Sequence, residues 1–331
     1  MARRRRWLAG LVASAIALGV QAHGAPRMAR GVNMGNALDA PSEGAWGVTL
    51  EEEYFDLVAS VGFDHIRLPV RWSAHAMDEA PYTIDEAFMA RVEWAVDAAL
   101  DRGLCVVLNV HHYEEMDKDP DGHEERLVAL WTQIATKFAG RPAPLVFELF
   151  NEPHGEFTAE KWNAVMPRLI GVVREENPTR AIIVGSAGWS NWRQLENLKL
   201  PEDRANLVAT FHYYDPFEFT HQGAEWVGAN ADEWLGREWT GTEAEEAAVR
   251  EALDAAAAFG RENGVPVYLG EFGAYGKAPE ASRAAWMAFV AREAEARGMP
   301  WSYWEFCAGF GVYDREARAW RPSLKAALLP E

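Results

Sequence analysis

Two glutamates stand where apolar runs give way to polar residues: Glu152 in Phe150-Asn151-Glu152-Pro153-His154 and Glu271 in Leu269-Gly270-Glu271-Phe272-Gly273. A pair of carboxyl groups facing one substrate can divide the work of breaking an acetal C–O bond. One stays protonated to donate to the departing oxygen, while the other is ionised and attacks the carbon. That division needs environments that separate the two pKa values. Arg67, in Ile66-Arg67-Leu68-Pro69-Val70, is a cation that would keep one carboxylate ionised by charge attraction. His212 and Tyr214, in Phe211-His212-Tyr213-Tyr214, offer hydrogen bonds that orient and tune both acids. Asn151 is neutral and forked, which suits a hydrogen bond to a sugar hydroxyl. Further clusters, Asn109-Val110-His111-His112-Tyr113 and Trp301-Ser302-Tyr303-Trp304-Glu305, also close apolar runs.

Positioning so many polar groups at run ends requires a repeated scaffold. Runs rich in Val, Ile, Leu and Phe at 30–36, 64–70, 104–110, 145–150, 181–186, 206–212, 266–271 and 299–305 alternate with amphipathic stretches near 49–61, 84–102, 123–139, 158–177, 189–196, 242–264, 279–298 and 321–329. Gly62, Gly103, Gly264 and Gly298 stand where such helices would end. Eight strand-helix pairs predict an α/β fold of the (β/α)8 TIM-barrel kind, in which strand C-termini carry the chemistry. The first strand-to-helix turn lacks the GxGxxG of a doubly wound dinucleotide fold. No linker or second composition regime divides the chain, so one domain over 23–331 is expected. The preceding segment, with Arg3 to Arg6, an apolar stretch from Trp7 to Val20 and Val20-Gln21-Ala22, reads as a secretory signal peptide over 1–22. A secreted or periplasmic monomer is expected, with no membrane contact once the signal is removed.

Composition narrows the partners. Of 331 residues 25% are charged and the net charge is −18, which disfavours nucleic acid and anionic lipid. Only Cys105 and Cys307 are present, at opposite ends of a barrel, so neither a disulfide scaffold nor a Cys-rich zinc module is expected. Ten of the 15 Trp fall into two groups. Trp94, Trp131, Trp162 and Trp286 have helical spacing among apolar residues and read as core. Trp46, Trp189, Trp192, Trp226, Trp234 and Trp239 lie in loops, where two or three should stack on the apolar faces of sugar rings, Trp189 and Trp46 first, with His112 beside the centre. Asp117 to Gly122 copies the first half of an EF-hand calcium loop, but Val128 stands where its bidentate Glu belongs, so the stretch reads as a lead into a helix starting near His123. His111-His112 invites zinc, but no third ligand has a compatible spacing, so no metal or cofactor is expected. Glu148, mid-strand, calls for an arginine partner.

Taken in order, Arg67 in IRLPV, His111 in NVHH, Asn151-Glu152-Pro153, His212-x-Tyr214, Glu271-Phe272-Gly273 and Trp304 resemble glycoside hydrolase family 5, over essentially the whole chain after the signal. The resemblance implies a retaining glycosidase with Glu152 as acid/base and Glu271 as nucleophile. It further implies that Arg67 and Tyr214 support the nucleophile, His111 and Asn151 bind the sugar at the cleavage subsite, His212 hydrogen-bonds in the cluster and Trp304 forms the sugar platform. Gly31-Val32-Asn33-Met34-Gly35-Asn36-Ala37-Leu38 resembles the first strand of endoglucanase-like members, which places Asn36 at the substrate and points to a β-1,4-glucan polysaccharide or oligosaccharide. A β-mannanase or mixed-linkage glucanase is the alternative on the same scaffold. A non-catalytic carbohydrate-binding barrel is the alternative of another class, and the retention of both glutamates argues against it.

Overall fold

A computed structural model of the protein describes residues 28–330; the signal peptide expected at 1–22 lies outside them. Eight parallel strands close on themselves in sequence order: β1 (Arg30–Asn33), β2 (His65–Leu68), β3 (Cys105–Asn109), β4 (Leu145–Glu148), β5 (Ile182–Gly185), β6 (Leu207–Tyr213), β7 (Val267–Phe272) and β8 (Trp301–Tyr303), with β1 paired to β8. Every expected run is a strand. Helices α1 (Glu52–Ser60), α2 (Glu86–Asp101), α3 (Glu114–Lys118), α4 (Pro120–Lys137), α5 (Ala159–Glu176), α6 (Phe217–Thr220), α7 (Glu243–Asn263), α8 (Glu280–Ala296) and α9 (Pro322–Leu328) connect or cover them. A small hairpin of β9 (Tyr313–Asp314) and β10 (Ala319–Trp320) precedes α9. Among the described residues no helix is long and apolar enough to cross a membrane.

The strands are buried on both faces, so they read as continuous apolar runs rather than alternating ones. Their outward side chains, such as Ile66, Leu68, Val106 and Leu108, pack under the helices in the large outer core. The inward set Val107, Val146, Ile183, Val208 and Tyr268 fills the barrel's centre. Above that layer the inward positions turn polar: Asn33, Arg67, Asn109 and Glu148 are all fully or almost fully buried. Helix boundaries follow local chemistry. Thr242 and Glu245 form a reciprocal capping box that starts α7, and Gly264, at φ 65°, ends it in the left-handed conformation. The face Val249, Ala252, Leu253, Ala256 and Phe259 is its buried stripe.

Two helix expectations need correction. The stretch 189–196 is not an α-helix but a 3-10 turn over Trp192–Asn197, because Trp189 (φ 64°) and Ser190 (φ 49°) occupy a backbone region that a helix cannot accept. The helix expected from His123 begins at Pro120, with the Asp119 carboxylate accepting from the Gly122 amide at 3.1 Å. Asp117 closes the preceding turn of helix and receives the His154 amide, so the calcium-like string is built into helix caps. Cys105 opens β3 and Cys307 follows β8 at the other end of the barrel, and no disulfide joins them.

Candidate active site

Arg67 is the hub of the polar layer. It projects from β2 into the barrel with no exposed surface, and burial of a lone guanidinium would be costly. It is matched by a fork: Nε and Nη2 donate to the Glu148 carboxylate at 2.6 and 2.7 Å, as the mid-strand position of that acid requires. Nη1 donates to Glu271 Oε1 at 2.5 Å and to Asn33 Oδ1 at 2.9 Å, and Nη2 also donates to Asn151 Oδ1 at 2.7 Å. Burial lowers the guanidinium pKa, but the two acids outweigh it and hold the cation protonated. Asn33 in turn donates to the carbonyls of Gly270 and Tyr303, at 3.1 and 3.2 Å, so β1, β7 and β8 are tied to the same centre.

Glu271 is placed by an irregularity. The β6/β7 register shifts after Phe211, so that His212 pairs with Glu271 rather than with Gly270. A side chain at position 270 would push its neighbours aside, since a Cβ there would lie 2.8 Å from Thr210 Oγ1 and 3.0 Å from the His212 ring. Tyr214 donates its hydroxyl to Glu271 Oε2 at 2.8 Å, which together with Arg67 occupies both carboxylate oxygens. Burial alone would raise the Glu271 pKa, yet His212, Arg67 and the Tyr214 hydroxyl outweigh it, and the net direction is down. The same burial pushes Glu152 up, further helped by Glu271, and the His212 contact only partly offsets it. His212 Nδ1 lies 2.6 Å from Glu152 Oε1 and 3.7 Å from Glu271 Oε2. A carboxylate oxygen of each acid falls within 4.8 Å of the other. The arrangement therefore biases Glu152 toward its protonated form and Glu271 toward its ionised form, across a gap one sugar carbon can fill.

Backbone strain marks the same region. Asn36 (φ 65°), His112 (φ 50°), Glu152 (φ 51°) and Trp189 (φ 64°) are all left-handed without being glycine. Each such residue costs of order 1–3 kcal/mol and survives where surrounding contacts impose it. All four line a cleft of about 1090 Å³ at the C-terminal mouth of the barrel, together with Glu152, Glu271, His111, His212, Tyr214, Trp304 and Trp46. His111 stacks parallel to Trp304 at 5.7 Å, and Trp304 fits only because Gly35 leaves room: a Cβ there would come within 2.9 Å of the indole. Trp46 meets His112 edge-on at 5.3 Å. Burial and neighbouring cations push His111 well below the usual imidazole range and His112 down to about 4, so both are neutral hydrogen-bonding groups.

Two of the expected residues stand behind the cleft wall. Arg67 does not line it, and Asn151 lies against Arg67, which takes its Oδ1 and leaves its amide NH2 for any sugar hydroxyl. Of the six loop tryptophans, Trp46, Trp189 and Trp226 line the cleft. Trp239 is buried, Trp192 donates to Asp215 at 3.1 Å, and Trp234 packs edge-on to Phe217 at 6.0 Å. The helical Trp131, Trp162 and Trp286 are fully buried, and Trp94 packs half-buried against the same core.

The sequence reading missed Asp39, Phe217, His221 and Phe310, which also line the cleft. Asp39 supplies a potential ligand beside His111 and His112, within 4.8 Å, where the spacing had offered none. These groups already have protein partners. Asp39 accepts the amides of Asn36 and Ala37 at 3.0 and 2.8 Å, and His111 Nδ1 lies 3.2 Å from Asn109 Nδ2. Glu305, adjoining Trp304, accepts from the amides of Cys307, Ala308 and Phe310 at 2.7–3.0 Å. Burial pushes both Asp39 and Glu305 up to about 7. Only the polar string after strand eight hinted at the second of these.

Comparison with known proteins agrees with this geometry. The chain is 37% identical over 308 residues to endoglucanase H of Acetivibrio thermocellus, with 91% of the chain covered, although it spans only 33% of that longer protein. Solved structures of Cel5A from Thermotoga maritima, described in complex with mannotriose and with cellobiose, superpose with TM-scores of 0.89 at 46% identity, covering 91% of this chain and 97% of theirs. The model of the cellulase family, glycosyl hydrolase family 5, matches residues 20–309. A closed eight-stranded barrel, a mouth carrying two differently tuned glutamates and a match across most of the sequence converge: the chain belongs to glycosyl hydrolase family 5.

Proposed function

We propose that the protein is an endo-acting β-1,4-glucanase that hydrolyses cellulose-type or mixed-linkage glucan with retention of anomeric configuration. The observation that carries this reading is the unequal treatment of two acids whose oxygens approach within 4.8 Å. Retaining glycosidases place their carboxyl groups about 5–5.5 Å apart, inverting ones about 6.5–9.5 Å. Glu271, ionised, attacks the anomeric carbon as the bond from that carbon to the glycosidic oxygen breaks, and Glu152 delivers its proton to that oxygen. Water then gives a proton to Glu152 and its oxygen to the anomeric carbon, releasing Glu271. Arg67 and Tyr214 hold the attacking carboxylate, His212 orients the acid, and His111, Asn151 and Trp304 receive the sugar. Trp46, Trp189, His112 and Asn36 extend the binding surface along the cleft. Linkage specificity is supported by the endoglucanase and Cel5A relatives.

The same reading takes residues 1–22 as an export signal and 23–331 as a single catalytic domain acting as a secreted or periplasmic monomer, supported by the Arg3–Arg6 run and the apolar stretch behind it. The test is reducing-sugar release from carboxymethylcellulose, barley β-glucan and mannan, with Glu271→Ala as control. Release from the glucans and none from the variant is expected. No release from any polymer with binding retained would leave a carbohydrate-binding barrel, and release from mannan alone would overturn the glucanase assignment while keeping the mechanism.

A further inference from the structure

The third residue of the Asn-Glu-Pro-His string after Asn151 has no role in the chemistry above, yet His154 touches two of its parts. Its Nδ1 lies 2.7 Å from the backbone carbonyl of Glu152. A carbonyl only accepts, so Nδ1 carries the hydrogen and the imidazole donates. This bond closes over a Glu152 backbone held at φ 51°. The face of the same ring stacks on Trp189, with centroids 3.4 Å apart and planes 18° from parallel. Trp189 is itself left-handed and more than half exposed, and the imidazole packs flat on its indole at the cleft.

His154 is well anchored for such a task. Its amide donates to the Asp117 carboxylate at 3.2 Å, and Asp117 also accepts the Glu156 amide through its own carbonyl at 2.9 Å. Gly155 lets the turn settle there, since a Cβ at that position would lie 2.7 Å from the Asp117 carbonyl oxygen. On the other side the Pro153 carbonyl receives the amides of Gly188 and Trp189, at 2.7 and 3.3 Å. The turn that carries the acid and the turn that carries the indole are thus one connected unit, with the imidazole at its centre.

Chemistry gives that unit a direction. The acid delivers its proton to the glycosidic oxygen, which departs with the leaving sugar, so groups packed on the turn of Glu152 lie beside the leaving chain rather than the sugar that Glu271 attacks. We infer that His154 is a positioning residue that locks the proton-donating carboxyl and the Trp189 platform together, so that the leaving glucose is seated and protonated in one alignment. This inference rests on the function proposed above.

The experiment compares kcat/KM on cellotetraose, whose leaving sugar needs both a platform and a proton, with that on 2,4-dinitrophenyl β-cellobioside, whose leaving group needs neither. His154→Ala should lower the first by about tenfold or more and the second by less than about threefold. His154→Asn, which keeps a donor near Nδ1, and His154→Phe, which keeps the stacking ring, should each recover part of the loss. They also decide the question if the alanine variant does not fold. Trp189→Ala combined with His154→Ala should be little worse than the more damaging single change, since the two act as a unit. Equal losses on both substrates, no loss on cellotetraose, or additive losses with Trp189→Ala would each overturn the inference. A wild-type enzyme that cleaves no glucan would overturn the proposed function first, and this inference with it, whereas one that cleaves barley β-glucan but not cellotetraose would overturn the inference alone.

Discussion

Arg67 grips Glu148 with two nitrogens and Glu271 with one, at 2.6, 2.7 and 2.5 Å, so the strongest tie of the buried cation is to the acid that does not face the cleft. Glu148 therefore sets where the guanidinium sits, and Arg67 sets where Glu271 sits. Glu148→Ala strips the buried guanidinium of the carboxylate that its Nε and Nη2 grip, and removing one partner of a buried ion pair costs about 3–5 kcal/mol. An unfolding free energy from urea denaturation lowered by that amount, with activity per folded molecule also reduced, is the expected result. Unchanged stability would contradict the hub role of Arg67.

The opposed tuning of the acids predicts a bell-shaped pH dependence of kcat/KM. The acidic limb reports Glu271, whose pKa is lowered, and activity falls as pH drops through it because the nucleophile becomes protonated. The basic limb reports Glu152, whose pKa is raised, and activity falls as pH climbs through it because the proton to be donated is gone. In Glu152→Gln the basic limb should vanish on activated aryl glycosides, while polymer hydrolysis drops about 10²–10⁴-fold. Equal loss on both substrates would argue against the acid role.

Tyr214→Phe removes one hydrogen bond from the charged form of Glu271. Such a bond to a charged group contributes about 1.5–3 kcal/mol, or roughly 10- to 150-fold if expressed in full in the rate. The acidic limb of the pH profile should move up, because the ionised form has lost a stabilising partner, and stopped-flow measurement on an aryl cellobioside should show the deficit in the first chemical step.

Trp226 and Trp239 share a loop but not a fate, and the pair separates binding from folding. Trp226 lines the cleft and is well exposed, so Trp226→Ala should raise KM on oligosaccharides by about two- to twelvefold with the melting temperature nearly unchanged. Trp239 is buried against Phe289, with centroids 5.6 Å apart. Trp239→Ala should cost about 3–5 kcal/mol of stability and leave KM of the folded fraction as it was. The reverse pattern in differential scanning calorimetry and steady-state kinetics would contradict both assignments.

The sequence disclosed the barrel because strands buried on both faces leave uninterrupted apolar runs, and their polar ends name the mouth. It disclosed Glu152, Glu271 and Trp304 for the same reason. What it hid depends on partners far away in the chain. Glu148 announces that it needs an arginine but not that the arginine is Arg67, 81 positions earlier. Asp39 becomes a neighbour of His111 and His112 only when β1 closes beside the other strands. Trp239 and Trp226 are indistinguishable as loop aromatics until the helices around them pack. The 3-10 turn at Trp192–Asn197 was hidden because nothing in residue type requires Trp189 and Ser190 to adopt positive φ; their hydrogen-bonded neighbours impose it.

The carboxyl of Glu305, next to Trp304 in the chain, gathers the amides of Cys307, Ala308 and Phe310. A loop tied inward at three points has already given up its conformational freedom when the chain folds. Little is left to lose when a ligand enters the cleft, so its affinity there is not diminished by an ordering penalty of this loop. Crystals of the free and oligosaccharide-bound protein should therefore differ least along the backbone of residues 304–310, and any rearrangement should be confined to the exposed indoles of Trp189 and Trp226.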